Sequence, residues 1–154
     1  MDATELNKHL SWAERLCSRR ECCPCEVQTK LKAKGVEPSE AGRIVATLVE
    51  RNFLNEERYI RAFVHDKSRL QGWGPAKIRY ALRAKQLSDP LINKTLAAVD
   101  QGEQKEKLRR LLKAKQRSVK AISETDLQAK LIRFGLVRGF SYEAVVEEVK
   151  NSFL

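Results

Sequence analysis

Histidine is scarce in this chain, with two in 154 residues, and neither a glycine-rich phosphate loop nor a Ser/His/Asp arrangement accompanies them. Nucleophilic and phosphoryl-transfer chemistry therefore lack a recognisable set of parts, and a protein that is not an enzyme and carries no cofactor is expected. No apolar run approaches the roughly eighteen residues that a membrane helix needs, and residues 1–16 are interrupted by Glu5, Lys8, Glu14 and Arg15. Neither a membrane span nor a secretory leader is expected. Sustained polar/apolar alternation is missing too, which removes the main sign of half-buried strands.

Cysteine is confined to Cys17, Cys22, Cys23 and Cys25. Disulfides among them would close very small loops and staple nothing distant, so reduced thiols and a cytoplasmic setting are expected. The Cys22-x-x-Cys25 spacing suits zinc, but a zinc site wants a second, distant ligand pair, and only His9 and His65 are available. No metal is expected. Arg19 and Arg20, between the thiols, are placed to lower a thiol pKa.

Positive charge is what the chain has in excess: 30 Lys+Arg against 20 Asp+Glu, a formal +10. Such a chain is drawn to polyanions, whether nucleic acid, a nucleoprotein or an acidic protein face. The count is 9 against 8 in residues 1–54, 9 against 4 in 55–99 and 12 against 8 in 100–154. The middle and last thirds carry the basic field.

Apolar residues recur at helical spacing throughout, so the fold class is all-α. Tyr59, Ile60, Phe63 and Val64 form one stripe, Ile78 and Leu82 a second, and Ile92, Leu96 and Val99 a third. Asn55 can cap a turn containing Glu56 and Glu57, and Pro75 and Pro90 each suit the first position of a helix, where the missing N–H is not needed. An offset of 51 residues brings Pro24 onto Pro75, Val27 onto Ile78, Leu31 onto Leu82, Ala33 onto Ala84, Lys34 onto Lys85 and Val36 onto Leu87. A weaker echo at an offset of 53 brings Leu131 onto Ile78, Arg138 onto Lys85, Phe140 onto Leu87 and Ser141 onto Ser88. The spacing predicts three tandem three-helix, helix-turn-helix-like repeats over 1–54, 55–99 and 100–154. Each has a thin core, so neighbours should pack into an elongated, curved body. In the third, helices are expected from about Gln104 to Lys120, from a Ser123 cap with Asp126 in a capping box to Gly139, and after a Ser141 cap.

Several of these residues also form a known pattern. Leu54-Asn55-Glu56-Glu57-Arg58-Tyr59, Ala62-Phe63, Gln71-Gly72-Trp73-Gly74-Pro75, then Ile78, Leu82 and Lys85, together with Arg138-Gly139-Phe140-Ser141-Tyr142, resemble the signature of the RecX family. The chain departs from it at Gln86, where the family often has Gly. The resemblance implies a regulator that lodges in the groove of the RecA filament on single-stranded DNA. It would restrain strand exchange, ATP turnover and coprotease activity in DNA repair, homologous recombination and the SOS response.

Candidate binding residues follow from charge and position. Residues 58–85 carry Arg58, Arg61, Lys67, Arg69, Lys77, Arg79, Arg83 and Lys85 against Asp66 alone, and are expected on exposed positions of two adjacent helices; a soluble surface normally mixes both signs. Lys77, Arg79 and Arg83 are expected to reach solvent beside core-facing Ile78 and Leu82. Trp73 stands in the Gly-Trp-Gly-Pro turn, either packed over Ile78 or Phe63 or acting as an interface anchor, while Tyr59 and Tyr80, in basic surroundings, both suit stacking on bases, with core placement preferred for Tyr59. The second basic run, Lys105 to Lys120, contributes Arg109, Arg110, Lys113 and Arg117. Three function classes stay open: a filament regulator, with at most weak direct affinity for nucleic acid; a stand-alone single- or double-stranded nucleic-acid-binding module, whose affinity for bare single strands should be high and fall steeply with salt; and a zinc or thiol enzyme. A monomer is expected.

Overall fold

The protein is described by a computed structural model covering residues 2–153. Among these residues there are nine α-helices and no strand: α1 (Ala3–Arg19), α2 (Pro24–Ala33), α3 (Pro38–Glu50), α4 (Glu56–His65), α5 (Pro75–Ala84), α6 (Asp89–Ala97), α7 (Gln101–Ser118), α8 (Glu124–Val137) and α9 (Tyr142–Phe153). A π-helical turn, Asp66–Leu70, extends α4. The all-α, repeated architecture expected from the periodicity is present.

Local signals account for the helix starts. Pro24, Pro38 and Pro75 open α2, α3 and α5, where an N–H would have no intrahelical partner. Pro90 stands second rather than first, because α6 begins at Asp89 behind Ser88. Asn55 Oδ1 accepts from the Arg58 N–H at 2.9 Å and Ser123 Oγ from the Asp126 N–H at 3.0 Å. The return bond of that second cap reaches Ile122, whose N–H donates to Asp126 Oδ2 at 3.1 Å. The Ser141 hydroxyl accepts from the Ala144 N–H at 3.1 Å. Helix α7 starts earlier than its apolar residues suggest, because Asp100 caps it through the Glu103 N–H at 3.0 Å, so that it begins about two turns before Leu108, its first buried residue.

The buried residues fall into three clusters, one per helix triplet. The first is built on Val27, Leu31, Ile44 and Leu48, the second on Ile60, Ile78, Leu82 and Ile92, and the third on Leu108, Leu112, Leu131 and Val145. In each triplet the middle helix closes the same way. The chain turns left-handed at Gly35 (φ 85°), Gln86 (φ 62°) and Gly139 (φ 99°). The next residue, Val36, Leu87 or Phe140, is buried and donates its N–H back to Leu31, Leu82 or Gly135. This is the Schellman closure with its apolar contact. Gln86 holds the strained conformation without glycine's freedom.

Two joints connect the triplets, and they use equivalent positions. At the first, the start of α2 meets α4 and the α5–α6 turn. Arg58 Nε donates to Glu21 Oε2 at 2.7 Å, Tyr59 donates its hydroxyl proton to Glu26 Oε1, and Lys85 Nζ reaches the same oxygen at 3.2 Å. Cys23, fully buried, packs into the middle cluster. At the second joint, the start of α5 meets the α8–α9 turn by backbone alone: the Gly74 N–H donates to Arg138 O at 2.7 Å and the Ala76 N–H to Gly139 O at 2.9 Å. A Cβ on Gly74 would stand 2.4 Å from the Gly139 carbonyl carbon, and one on Gly139 would stand 2.4 Å from Lys77 Cβ. The two glycine motifs of the sequence therefore lie against each other.

Solvent-accessible area is 9672 Å², against about 7,900 Å² expected for a compact monomer of this mass. Triplets that share only narrow joints leave this excess surface.

Candidate binding surface

Around Trp73 the middle triplet forms an aromatic and cationic cluster. The Trp73 backbone N–H donates to Lys67 O at 2.9 Å, pinning the Gly72-Trp73-Gly74 loop to the π-turn. The half-buried indole meets Phe63 edge-on at 6.3 Å, and the ammonium groups of Lys77 and Lys67 lie 4.5 and 4.9 Å from its centroid. Packing over Phe63 is thus its first role, and the two cations are held by its π face.

The expectation that all eight cations of residues 58–85 occupy exposed positions is corrected here, since Arg58, Lys67, Lys77, Arg79 and Lys85 are half-buried. Arg58 and Lys85 are committed to the first joint; the other two Arg58 bonds, from Nη2 to Asn52 O and Phe53 O, are each 3.2 Å. Lys77 is committed to Trp73 and to the second joint, so it does not stand free beside Ile78 as the helix spacing suggests. Arg79 donates to Asn93 Oδ1 at 3.3 Å, and Arg83 pairs with Asp89 at 2.8 Å on an exposed face. Arg69 lies 3.7 Å from Glu103. Tyr59 is buried, and Tyr80 is 79 % exposed between the α5 cations.

On α7, Arg109 turns inward, donating to Glu148 Oε1 at 2.7 Å. Burial alone would raise the Glu148 carboxyl, but hydrogen bonds from Arg109 and Ser152 outweigh it and hold it below its ordinary value. Arg110, Lys113 and Arg117 fall on one adjoining face at i, i+3 and i+7, are exposed, and form no ion pair among the described residues. Arg61 on α4 is exposed and equally unmatched. Of the candidate cations, those left without a partner are thus Arg61 on α4 and Arg110, Lys113 and Arg117 on α7, because those of α5 are engaged by Asp89, Asn93 and Trp73.

Burial dominates the thiols. It pushes Cys17 up to about 12, with Cys22 adding to it, and raises Cys22 and Cys23 despite the opposing charge of Arg20 on Cys22. Burial likewise leads for Cys23. The lowering expected from the flanking arginines is therefore outweighed, because the thiols face the core while Arg19 and Arg20 are exposed. All four cysteines are free, and no described helix is long and apolar enough to cross a membrane.

Two features escaped sequence reasoning. The π-turn turns Ser68 inward, to 5 % exposure, where its Oγ accepts from Gln104 Nε2 at 3.2 Å and from Lys107 Nζ. Nothing in Asp66-Lys67-Ser68-Arg69-Leu70 announces this, since a π-turn has no composition of its own. The second is the Gly74/Gly139 contact, whose partners lie 65 residues apart; only the repeat offset, carried into three dimensions, could have paired them.

Together these features define a tandem three-helix repeat protein with unmatched cations on adjoining helices. Residues 55–96 match the description "RecX, second three-helix domain". A "Regulatory protein RecX" of Chlorobaculum tepidum is 31 % identical over 150 residues, covering 97 % of this chain and 91 % of the relative. One of Acinetobacter baylyi is 30 % identical, covering 90 % and 84 %. The chain spans about 60 % of the length of a Clostridium botulinum relative, at 32 % identity. The crystal structure of RecX from Lactobacillus salivarius superimposes with a TM-score of 0.81 over 97 % of both chains, at 22 % identity, and so shares the fold. The chain belongs to the RecX family of regulatory proteins.

Proposed function

We propose that this protein binds the nucleoprotein filament that the recombinase RecA forms on single-stranded DNA, and restrains its ATP turnover, strand exchange and coprotease activity. The observation that carries the reading is the unmatched stripe Arg110, Lys113 and Arg117, joined by Arg61, on a surface larger than a compact chain would present. A long anionic partner suits such a surface, because each cation gains an opposing charge without a new fold being built. Family membership supports a regulatory role. Arg69, Arg83 and Tyr80 extend the contact; Trp73 with Lys67 and Lys77 stiffens it from beneath, Arg79 flanks it, and Arg58, Lys85 and Arg109 act by holding the helices in place.

In this reading the segments 1–54, 55–99 and 100–154 are the structural units, the setting is cytoplasmic, and the protein acts by binding and not by catalysis. It acts as a monomer. The exposed Tyr80 beside Arg83 favours a second reading, direct stacking on unpaired bases. The test is ATP hydrolysis by filaments on single-stranded DNA as the protein is titrated in. A saturating fall in rate is expected, and an unchanged rate at full occupancy of the filament would refute inhibition.

A further inference from the structure

The cleft between the middle and last triplets contains polar groups whose bonding is incomplete. It encloses about 1200 Å³ between α4, the π-turn and the first half of α7. Ser68 Oγ accepts two hydrogen bonds, from Gln104 Nε2 and Lys107 Nζ, and its own proton forms no hydrogen bond among the described residues. Gln104 Oε1 is buried without a partner. Turning the Gln104 amide over lets Oε1 take the Ser68 proton, but it then leaves the amide N–H₂ unpaired. In either orientation one donor remains for something in the cleft.

The charges tell the same story. Asp100 is used as the α7 cap, Glu103 pairs with Arg69, and Glu106 lies 3.4 Å from Arg109. Arg61, Lys107 and Arg110, which also line the cleft, form no ion pair among the described residues, while Arg138 at its edge is held by Gln71 O at 3.3 Å and by the Phe134 ring. Burial, with Arg69 and Arg110 nearby, lowers the Lys107 pKa against the pull of Glu103. An anion placed among these groups neutralises the unmatched cations and accepts from the free donor, the Ser68 hydroxyl or, with the amide turned over, the Gln104 N–H₂.

We propose that this cleft binds a phosphoryl group, with Lys107 and the Ser68/Gln104 pair as inner donors and Arg61 and Arg110 at the mouth. Three unmatched cations suit phosphate, which offers several acceptor oxygens and up to two charges, better than a single carboxylate. Val64, Val99 and Leu111 on the walls leave apolar room for whatever carries the phosphate. Strand backbone and free nucleotide share this chemistry. The proposal does not depend on the recombinase, so its failure leaves the filament reading standing.

The test is an amide NMR titration of the full chain with sodium pyrophosphate at constant ionic strength, with sodium chloride as the control. Saturable shifts at Ser68, Gly72, Gln104 and Lys107 are expected. Arg110→Gln, exposed and thus harmless to folding, should weaken binding about tenfold, as loss of a charge-assisted bond does. Lys107→Gln should weaken it further, and Arg43→Gln on α3 should change nothing. An oligothymidylate without terminal phosphates that shifts the same amides would assign the site to strand backbone, and shifts from pyrophosphate alone would assign it to free phosphates; both outcomes uphold it. Non-saturating shifts, shifts equal to those of chloride, or binding unaffected by both cleft variants would overturn it. So would stronger binding of a hexaglutamate peptide at the same amides.

Discussion

Gly35 and Gly139 occupy the same place in the first and last triplets, and replacing each with alanine should have unequal cost. Both have positive φ, at 85° and 99°, so alanine pays about 1 kcal/mol of backbone strain at either. Around Gly35 nothing stands within 4 Å of an added Cβ, whereas at Gly139 it would meet Lys77 Cβ at 2.4 Å and Lys77 N at 2.7 Å. The second joint must open, straining the backbone bonds of Gly74 and Ala76, each worth about 0.5–1.5 kcal/mol. Gly35→Ala should therefore cost roughly 1 kcal/mol and Gly139→Ala roughly 3 kcal/mol. Thermal unfolding followed by circular dichroism would read about 3 °C against about 9 °C, at roughly 3 °C per kcal/mol for a chain of this size. Amide exchange should quicken in α7–α9 for Gly139→Ala and only in α1–α3 for Gly35→Ala. Equal losses of Tm, or exchange rising uniformly, would refute the backbone-to-backbone joint.

Gln86→Gly should raise stability by about 0.5–1 kcal/mol, measured by urea unfolding, because glycine tolerates the φ of 62° that Gln86 holds. For Glu26, burial would raise the carboxyl, but the bonds from Tyr59 and Lys85 and the charge of Arg20 hold it below its ordinary value. Its contribution is thus present above the ordinary carboxylate range and lost as pH falls through the lowered folded value. Glu26→Gln should flatten that acid-side loss, and an unchanged pH–stability curve would contradict the first joint. Arg110→Glu/Lys113→Glu/Arg117→Glu should keep the helicity, since all three are exposed, and should abolish inhibition of filament ATP hydrolysis. Lys77→Glu should instead lower Tm by several degrees through Trp73 and the joint.

Much of the fold was legible because it is local. Stripe spacing placed Ile78, Leu82, Ile92, Leu131 and Val145 in cores, and caps at Asn55, Ser123 and Ser141 placed helix starts. The repeat offsets that align Val36, Leu87 and Phe140 proved to align one closure in three dimensions. The binding face was less legible. Lys77 and Arg83 look alike in sequence, both flanking core positions of α5, yet one is drawn onto an indole and the other onto Asp89. Which cations are neutralised depends on neighbours in space, and the π-turn that buries Ser68 depends on the docking of α7.

Co-sedimentation with RecA filaments assembled on single-stranded DNA, with bare DNA as the control, tests the central claim most directly. The protein should pellet with filaments at a moderate salt concentration that releases it from bare DNA, and the Arg110→Glu/Lys113→Glu/Arg117→Glu variant should stay in solution. Equal recovery on filaments and bare DNA, or full recovery of the variant, would contradict it.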